Sequence, residues 1–176
     1  MYWRVNLRFK QWVQLMNLTA TNTDSSDGYG PQVKHYGGSA AVCFQSSMLK
    51  ERIPTINIEI APIVSNSVQW GNKLNFQLSD NELPLLCGLL LGYLPALDIK
   101  RGAKGIELRR QKRDATNHPG LFLYASSGRS HQLRLLVPSG VMAKICALAV
   151  ARFVEDLAVD PSVAHMAIKS ACALHY

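Results

Sequence analysis

The sequence predicts an α+β fold made of duplicated antiparallel β-sheet-plus-helix units. Each sheet has one face covered by helices, and an extra helix follows at the C-terminus. Three observations lead there. Several segments alternate apolar with polar side chains, the period of a strand buried on one face only. Capped or proline-bounded apolar runs follow two of the strand groups and read as helices. The second strand-to-helix junction also repeats the first. One constant, gapless offset sets Leu74 on Leu133, Phe76 on Leu135, Leu78 on Val137, Leu86 on Ile145, Cys87 on Cys146, Leu89 on Leu148 and Leu94 on Phe153. That is the mark of an internal duplication of a β-β-β(-β)-α unit. The 176 residues then form a single domain, with pseudo-repeats over about 1–97 and 98–158 and a last helix over 160–175.

Taken in order, YWRVNLRFK (2–10) sets Trp3, Val5, Leu7 and Phe9 against Arg4, Asn6, Arg8 and Lys10, a half-buried strand. Residues 19–39 are rich in Gly, Ser, Thr, Asn and Asp and read as a long flexible loop. Its stretch GYGPQVKHYGG, with Tyr29, His35 and Tyr36, either clasps a ligand or is plain loop. Strands are expected over 40–47, 55–64 and 73–79. In the second, Ile56, Ile58 and Ile60 share one face; in the third, Leu74, Phe76 and Leu78 do. Ser79 with Glu82 three residues on forms a capping box that opens a helix ended by Pro95. The second half offers strands over 104–113, 120–127 and 131–138, then a helix from Ser139 to about Leu157. Asp160 followed by Pro161 starts the last helix. The first repeat helix is apolar nearly all round, which needs cover on several sides, so a homo-oligomer (dimer or tetramer) is expected.

Composition narrows the function. A hydrophobic content of 48% with 18% charged residues is that of a folded chain. The formal net charge of +7 makes polyanions natural partners, nucleic acid first and an anionic membrane surface second. The charge is concentrated: Lys100, Arg101, Lys104, Arg109, Arg110, Lys112 and Arg113 face a single acid, Glu107, within one short segment. Cys43, Cys87, Cys146 and Cys172 have no C-x-x-C spacing, so neither a disulfide framework nor zinc is expected, and a reducing, cytoplasmic compartment is. The apolar run from Leu83 to Leu97 carries two prolines and is too short to span a bilayer, so no membrane partner is expected. Arg4, Arg8 and Lys10 argue against a signal peptide. The histidines (His35, His118, His131, His165, His175) have no metal-ligand spacing, acids are scattered, and no phosphate-binding glycine fingerprint is framed by a strand and a helix. No cofactor, no metal and no catalytic constellation are therefore expected, and the chain reads as a non-enzyme.

The string INIEIAPIVSNSVQWGNKLNFQLSDNELPLL resembles the core of the positive-cofactor-four-like family of single-stranded-DNA-binding proteins. There, a strand of I-D-I-R type leads through a loop to a basic G-x-K-hydrophobic-x-hydrophobic strand and a capped helix. GLFLYASSGRSHQLRLLVPSGVMAKICAL follows the same plan less closely, and two such units in one chain look like the Whirly branch of that fold. The resemblance covers roughly residues 40–157. The Whirly K-G-K-A-A-L strand is absent as such, AKGIELRRQ being the nearest string, and the first half is poor in Lys and Arg on its outer faces. What the resemblance implies is a concave sheet that binds unpaired nucleic-acid strands by backbone charge and base stacking.

The residues point the same way on their own. If Leu121, Leu123, Leu133, Leu135 and Val137 pack on a helix, alternation sends Phe122, Tyr124, Arg134, Arg109 and Arg113 to one open face. Aromatic rings stack unpaired bases and cations neutralise phosphates, whereas a duplex hides its base faces. The expected nucleic-acid-binding residues are Lys73, Arg101, Lys104, Arg109, Arg110, Lys112, Arg113, Phe122, Tyr124, Arg129 and Arg134. The expected ligand is single-stranded DNA, with RNA as the variant. Two alternatives stand beside it: an assembly protein whose basic strands meet an acidic protein partner, and an RNA-processing enzyme using His131 or His118. In the bland version, Phe122 and Tyr124 fill the core and the arginines are merely solvated.

Overall fold

The structure is a computed structural model that describes residues 30–113, 118–128 and 131–175. The strand expected over 2–10 and the loop's first part lie outside the described residues. The rest of that expected loop is corrected, because Gln32–Tyr36 is a strand, β1. Its five residues alternate weakly, and the flanking Gly and Pro hid them; only Val33 reaches the core.

The first half continues with β2 (Ala40–Leu49), β3 (Ile53–Val64), the short β4 (Ser67–Val68), a 3₁₀ turn (Trp70–Asn72), β5 (Leu74–Gln77) and α1 (Glu82–Leu91). The second half has β6 (Ala96–Arg101), β7 (Lys104–Gln111), β8 (Gly120–Ser127), β9 (His131–Pro138) and α2 (Ser139–Leu157), and α3 (Pro161–Ala173) follows. Two antiparallel sheets result, with orders β1-β2-β3-β5 and β6-β7-β8-β9, and β4 pairs with the far end of β3. Each half is thus a four-stranded meander leading into a helix. The sequence reading missed β1 and β6, the first strand of each meander. For β6 a signal existed, since Leu97 and Ile99 alternate with Asp98 and Lys100.

Alternation decides which face is covered. Val42, Phe44, Ile56, Ile58, Ile60, Leu74 and Phe76 of the first sheet are buried in one apolar cluster with Leu97, Ile99, Ile106, Leu108, Leu121, Leu123, Leu133, Leu135 and Val137 of the second. Helices complete it. α1 packs on α2, α3, β6 and β7, while α2 crosses β1, β2 and β3 of the first sheet and β8 and β9 of the second. The all-round apolarity of α1 is therefore largely satisfied inside one chain, and Leu83, Leu86, Cys87, Leu89 and Leu90 are all buried.

The start of α1 is fixed by the expected Ser79–Glu82 pair. The Glu82 carboxylate accepts the Ser79 backbone N–H at 2.8 Å, and Arg101 of β6 donates to both its oxygens, one at 2.8 Å. Burial pushes this carboxyl up, but the hydrogen bonds from Arg101 and Ser79 outweigh it and hold the group below its ordinary value of 4.5. A carboxyl depressed in the folded state contributes stability that is intact above its unfolded value and lost as pH falls through the folded one. Glu82→Gln should therefore flatten the acid side of the stability profile. Urea midpoints taken between about pH 3 and pH 7 check this; parallel profiles for the two proteins would count against it.

Candidate nucleic-acid interface

With Ile106 and Leu108 of β7, Leu121, Leu123 and Ala125 of β8, and Leu133, Leu135 and Val137 of β9 turned into the core, the intervening side chains share the opposite face. Register sets them in rows. Arg109 lies opposite Phe122, which lies opposite Leu136; in the next row Glu107, Tyr124 and Arg134 align. A third row holds Lys100 of β6, Gly105, Ser126 and Gln132. Phe122 and Tyr124 are half-buried, as a ring lying against its sheet must be, while Arg109 and Arg134 are exposed. The Arg134 guanidinium stands over the Tyr124 ring, 5.4 Å from its centroid, a cation–π contact that also orients the ring. Arg109 is ion-paired with Glu107, two residues back on the same strand face.

The bland version in which Phe122 and Tyr124 fill the core does not hold, because it is Leu121 and Leu123 that are fully buried. The cationic surplus of the face is smaller than the sequence suggested, however. Arg109, Arg134 and Lys100 are set against Glu107 and Asp98, which pair in register on the same face. Lys100 and Asp98 were missed because β6 was missed.

The remaining expected residues disperse. β7 ends at Gln111, so Lys112 and Arg113 are exposed at the margin of the face rather than in its ladder. Lys104 is exposed at the first position of β7, on the side of the strand that Ile106 and Leu108 share. Arg101 and Arg110 also fall on that side, and both have structural partners. Beyond its bonds to Glu82, Arg101 donates to the Gln77 carbonyl at 3.2 Å. Arg110 donates to the Leu89 and Leu90 carbonyls at 3.3 and 3.2 Å, closing the C-terminal turn of α1 with a positive charge. Gly92, the left-handed residue just after that helix at φ 95°, leaves room for the guanidinium: a Cβ there would stand 2.6 Å from Arg110 Nη1. Lys73 belongs to the other sheet and is ion-paired with Glu59 at 2.8 Å. Arg129 lies outside the described residues. The face that the structure assembles is thus Arg109, Phe122, Tyr124 and Arg134, with Lys112 and Arg113 at its rim.

His131 is half-buried at the start of β9 and His118 is exposed beside the end of β7, its carbonyl accepting from Gln111 Nε2 at 2.8 Å. Among the described residues no group of three His, Cys, Asp or Glu side chains is placed to hold a metal ion. Burial raises the thiols of Cys43, to about 11, and of Cys87, Cys146 and Cys172 as well, so each is held as an unreactive thiol at neutral pH. No helix among the described residues is long and apolar enough to cross a membrane.

No family model matches the sequence, and no curated protein does. Backbone comparison does find relatives in shape. The structure of the plant transcriptional regulator PBF-2 superposes on 82% of this chain and 89% of its own, with a TM-score of 0.55 and 15% sequence identity. This chain has a Whirly-like fold. Trypanosoma brucei MRP1/MRP2 superposes on 84% of this chain and 94% of its own, with a TM-score of 0.55 and 7% identity. At such identities the likeness is one of backbone, and the Whirly-like arrangement is here written in side chains of the chain's own.

Proposed function

We propose that this chain binds single-stranded nucleic acid, DNA in preference to RNA, without catalysing a reaction on it, in replication, recombination or DNA transfer. The observation that carries this is the register of the second sheet, which places one arginine beside each of two aromatic rings on a face no helix covers. Rings at that spacing accept unstacked bases, and the neighbouring guanidinium groups meet the phosphates that link them. Stacking does not depend on which base arrives, so this grip is sequence-tolerant. The fold shared with PBF-2, a transcriptional regulator by its description, supports the reading.

Fluorescence anisotropy on labelled oligonucleotides tests it. Binding should be tighter for single strands than for the matched duplex and should weaken steeply with salt. Arg109→Ala and Arg134→Ala should each flatten the log–log salt slope by about 0.7. Absence of binding at low salt refutes the proposal, and cleavage of the probe refutes its non-catalytic part. The same proposal includes a homo-oligomer, dimer or tetramer, joined through α3, where Val163, Met166 and Leu174 are exposed on the outside of the helical layer. Sedimentation equilibrium giving the mass of one chain at micromolar concentration would remove that part.

A further inference from the structure

The outer face of the first sheet is built differently. β1, β2, β3 and β5 present Gln32, Gln45, Asn57 and Gln77 in a single register row, one carboxamide from each strand straight across the sheet. At strand spacing the row is about 14 Å long. The adjacent row, Lys34, Cys43, Glu59 and Asn75, adds a fifth carboxamide at the edge strand.

Much of the hydrogen-bonding capacity of this row is unspent. Gln45 is 9% exposed, yet its carboxamide has no partner among the described residues. Asn57 Nδ2 donates to Glu59 Oε1 at 3.3 Å, but Asn57 Oδ1 is buried with nothing bonded to it. Gln77 Nε2 donates to Ser47 Oγ at 2.9 Å and to the Met48 carbonyl at 3.1 Å, which leaves its oxygen over. The Gln32 oxygen accepts only the weak Cys43 S–H, at 3.3 Å. A buried polar atom left unpaired costs about 1–3 kcal/mol, and here two neighbouring strands carry one each in the same row.

Charge and continuity indicate what fills the row. It is uncharged, and the nearby Lys73 is already paired with Glu59, so phosphate is a poor occupant. The face joins the aromatic one: a groove of about 580 Å³ is lined by Pro62, Lys73 and Leu74 from the first sheet and by His131, Gln132 and Leu133 of β9. Gln132 belongs to the row next to Tyr124 and Arg134, so a polymer stacked on that face can continue through the groove.

We infer that the Gln32–Gln45–Asn57–Gln77 row reads base edges, with preference for adenine, in a single strand held by the aromatic face; the inference rests on the proposed function. A carboxamide sets one donor beside one acceptor. Adenine offers the complementary pair on two edges, N6/N7 and N1/N6, whereas the N7/O6 edge of guanine offers two acceptors and suits arginine or lysine. The second sheet then supplies a base-blind grip, and the first adds a preference to it.

The test compares oligo(dT) with oligo(dT) of equal length carrying a central run of adenines, by anisotropy on the full chain. The adenine-bearing probe should bind at least roughly 5-fold more tightly, the low end of what one bidentate base contact discriminates. Asn57→Val and Gln45→Met should abolish that preference and leave oligo(dT) affinity within about twofold, which also reports an intact fold. Gln77→Met, at the exposed edge strand, gives a third variant that disturbs no packed position. If wild-type protein binds both probes equally, base reading is overturned while the aromatic interface stands. If neither probe binds, the interface itself fails and the inference falls with it. If the three variants weaken both probes alike with an unchanged circular dichroism spectrum, the row is a general contact and base reading is again overturned.

Discussion

Phe122→Ala and Tyr124→Ala should each weaken binding of a single-stranded oligonucleotide by roughly 5- to 150-fold, the range that loss of one base–aromatic stack gives. Tyr124 should lie toward the larger end. Its ring is held by Arg134 on the opposing strand, so truncation removes the platform and also releases the guanidinium that would meet the adjoining phosphate. Phe122 is flanked by Arg109, whose charge is partly spent on Glu107. The two effects should fall short of additive, since the rings lie in neighbouring rows of one strand and take successive bases of one ligand. Tyr124→Phe is the control: it keeps the ring and should keep affinity within about twofold, because stacking uses the ring face rather than the hydroxyl. Anisotropy titrations at fixed salt measure all four proteins. Unchanged affinity in the Phe122→Ala/Tyr124→Ala double variant would falsify the assignment of this face. Folding should be little affected, as both rings sit on the side of β8 away from the buried Leu121 and Leu123.

The parts of the fold that were legible are those where a local pattern coincides with burial. β3, β5, β8 and β9 alternate cleanly because one of their faces meets helices and the other meets solvent. The same alternation placed Arg109, Phe122, Tyr124 and Arg134 together, since parity along a strand fixes a face without any knowledge of the neighbours. What stayed hidden needed long-range information. β1 and β6 are short edge strands, and an edge strand is specified by the partner that offers it hydrogen bonds as much as by its own residues. Arg101 and Arg110 looked like members of a basic patch because a charge run does not reveal which cations have local duties. Only the fold brings Glu82 to the first and the C-terminal carbonyls of α1 to the second. The carboxamide row was equally out of sight, since its four residues come from four strands and no one of them is unusual alone. All-round apolarity of α1 suggested a second chain, when α2, α3 and the two sheets supply most of the cover.

Gly88→Ala should destabilise the protein by about 1–3 kcal/mol, as overpacking of a full core does. Exchanging glycine for alanine inside a helix would by itself gain up to about 1 kcal/mol, so the sign depends on the neighbours. A Cβ at Gly88 would stand 2.0 Å from Cys172 Sγ, with Cys172 Cβ at 3.6 Å and Ile168 Cγ2 at 3.7 Å behind it. Cys172 and Ile168 are buried residues of α3, so neither the sulfur nor the helix can retreat into solvent. Closeness of α1 to α3 at this point depends on the missing side chain, and the steric term outweighs the propensity gain. The opposing helix offers the remedy. In a Cys172→Ala background the obstructing sulfur is gone, and Gly88→Ala should there be neutral or stabilising by up to about 1 kcal/mol. The double-mutant cycle should consequently show a favourable coupling of at least about 1 kcal/mol between two positions far apart in sequence. Chemical denaturation of the four proteins gives the coupling directly, and additive costs would place the tight contact elsewhere. Because the α1–α3 contact lies in the helical layer and the aromatic rows lie on the uncovered face of the second sheet, oligonucleotide affinity of folded Gly88→Ala protein should match the wild type even as its stability falls.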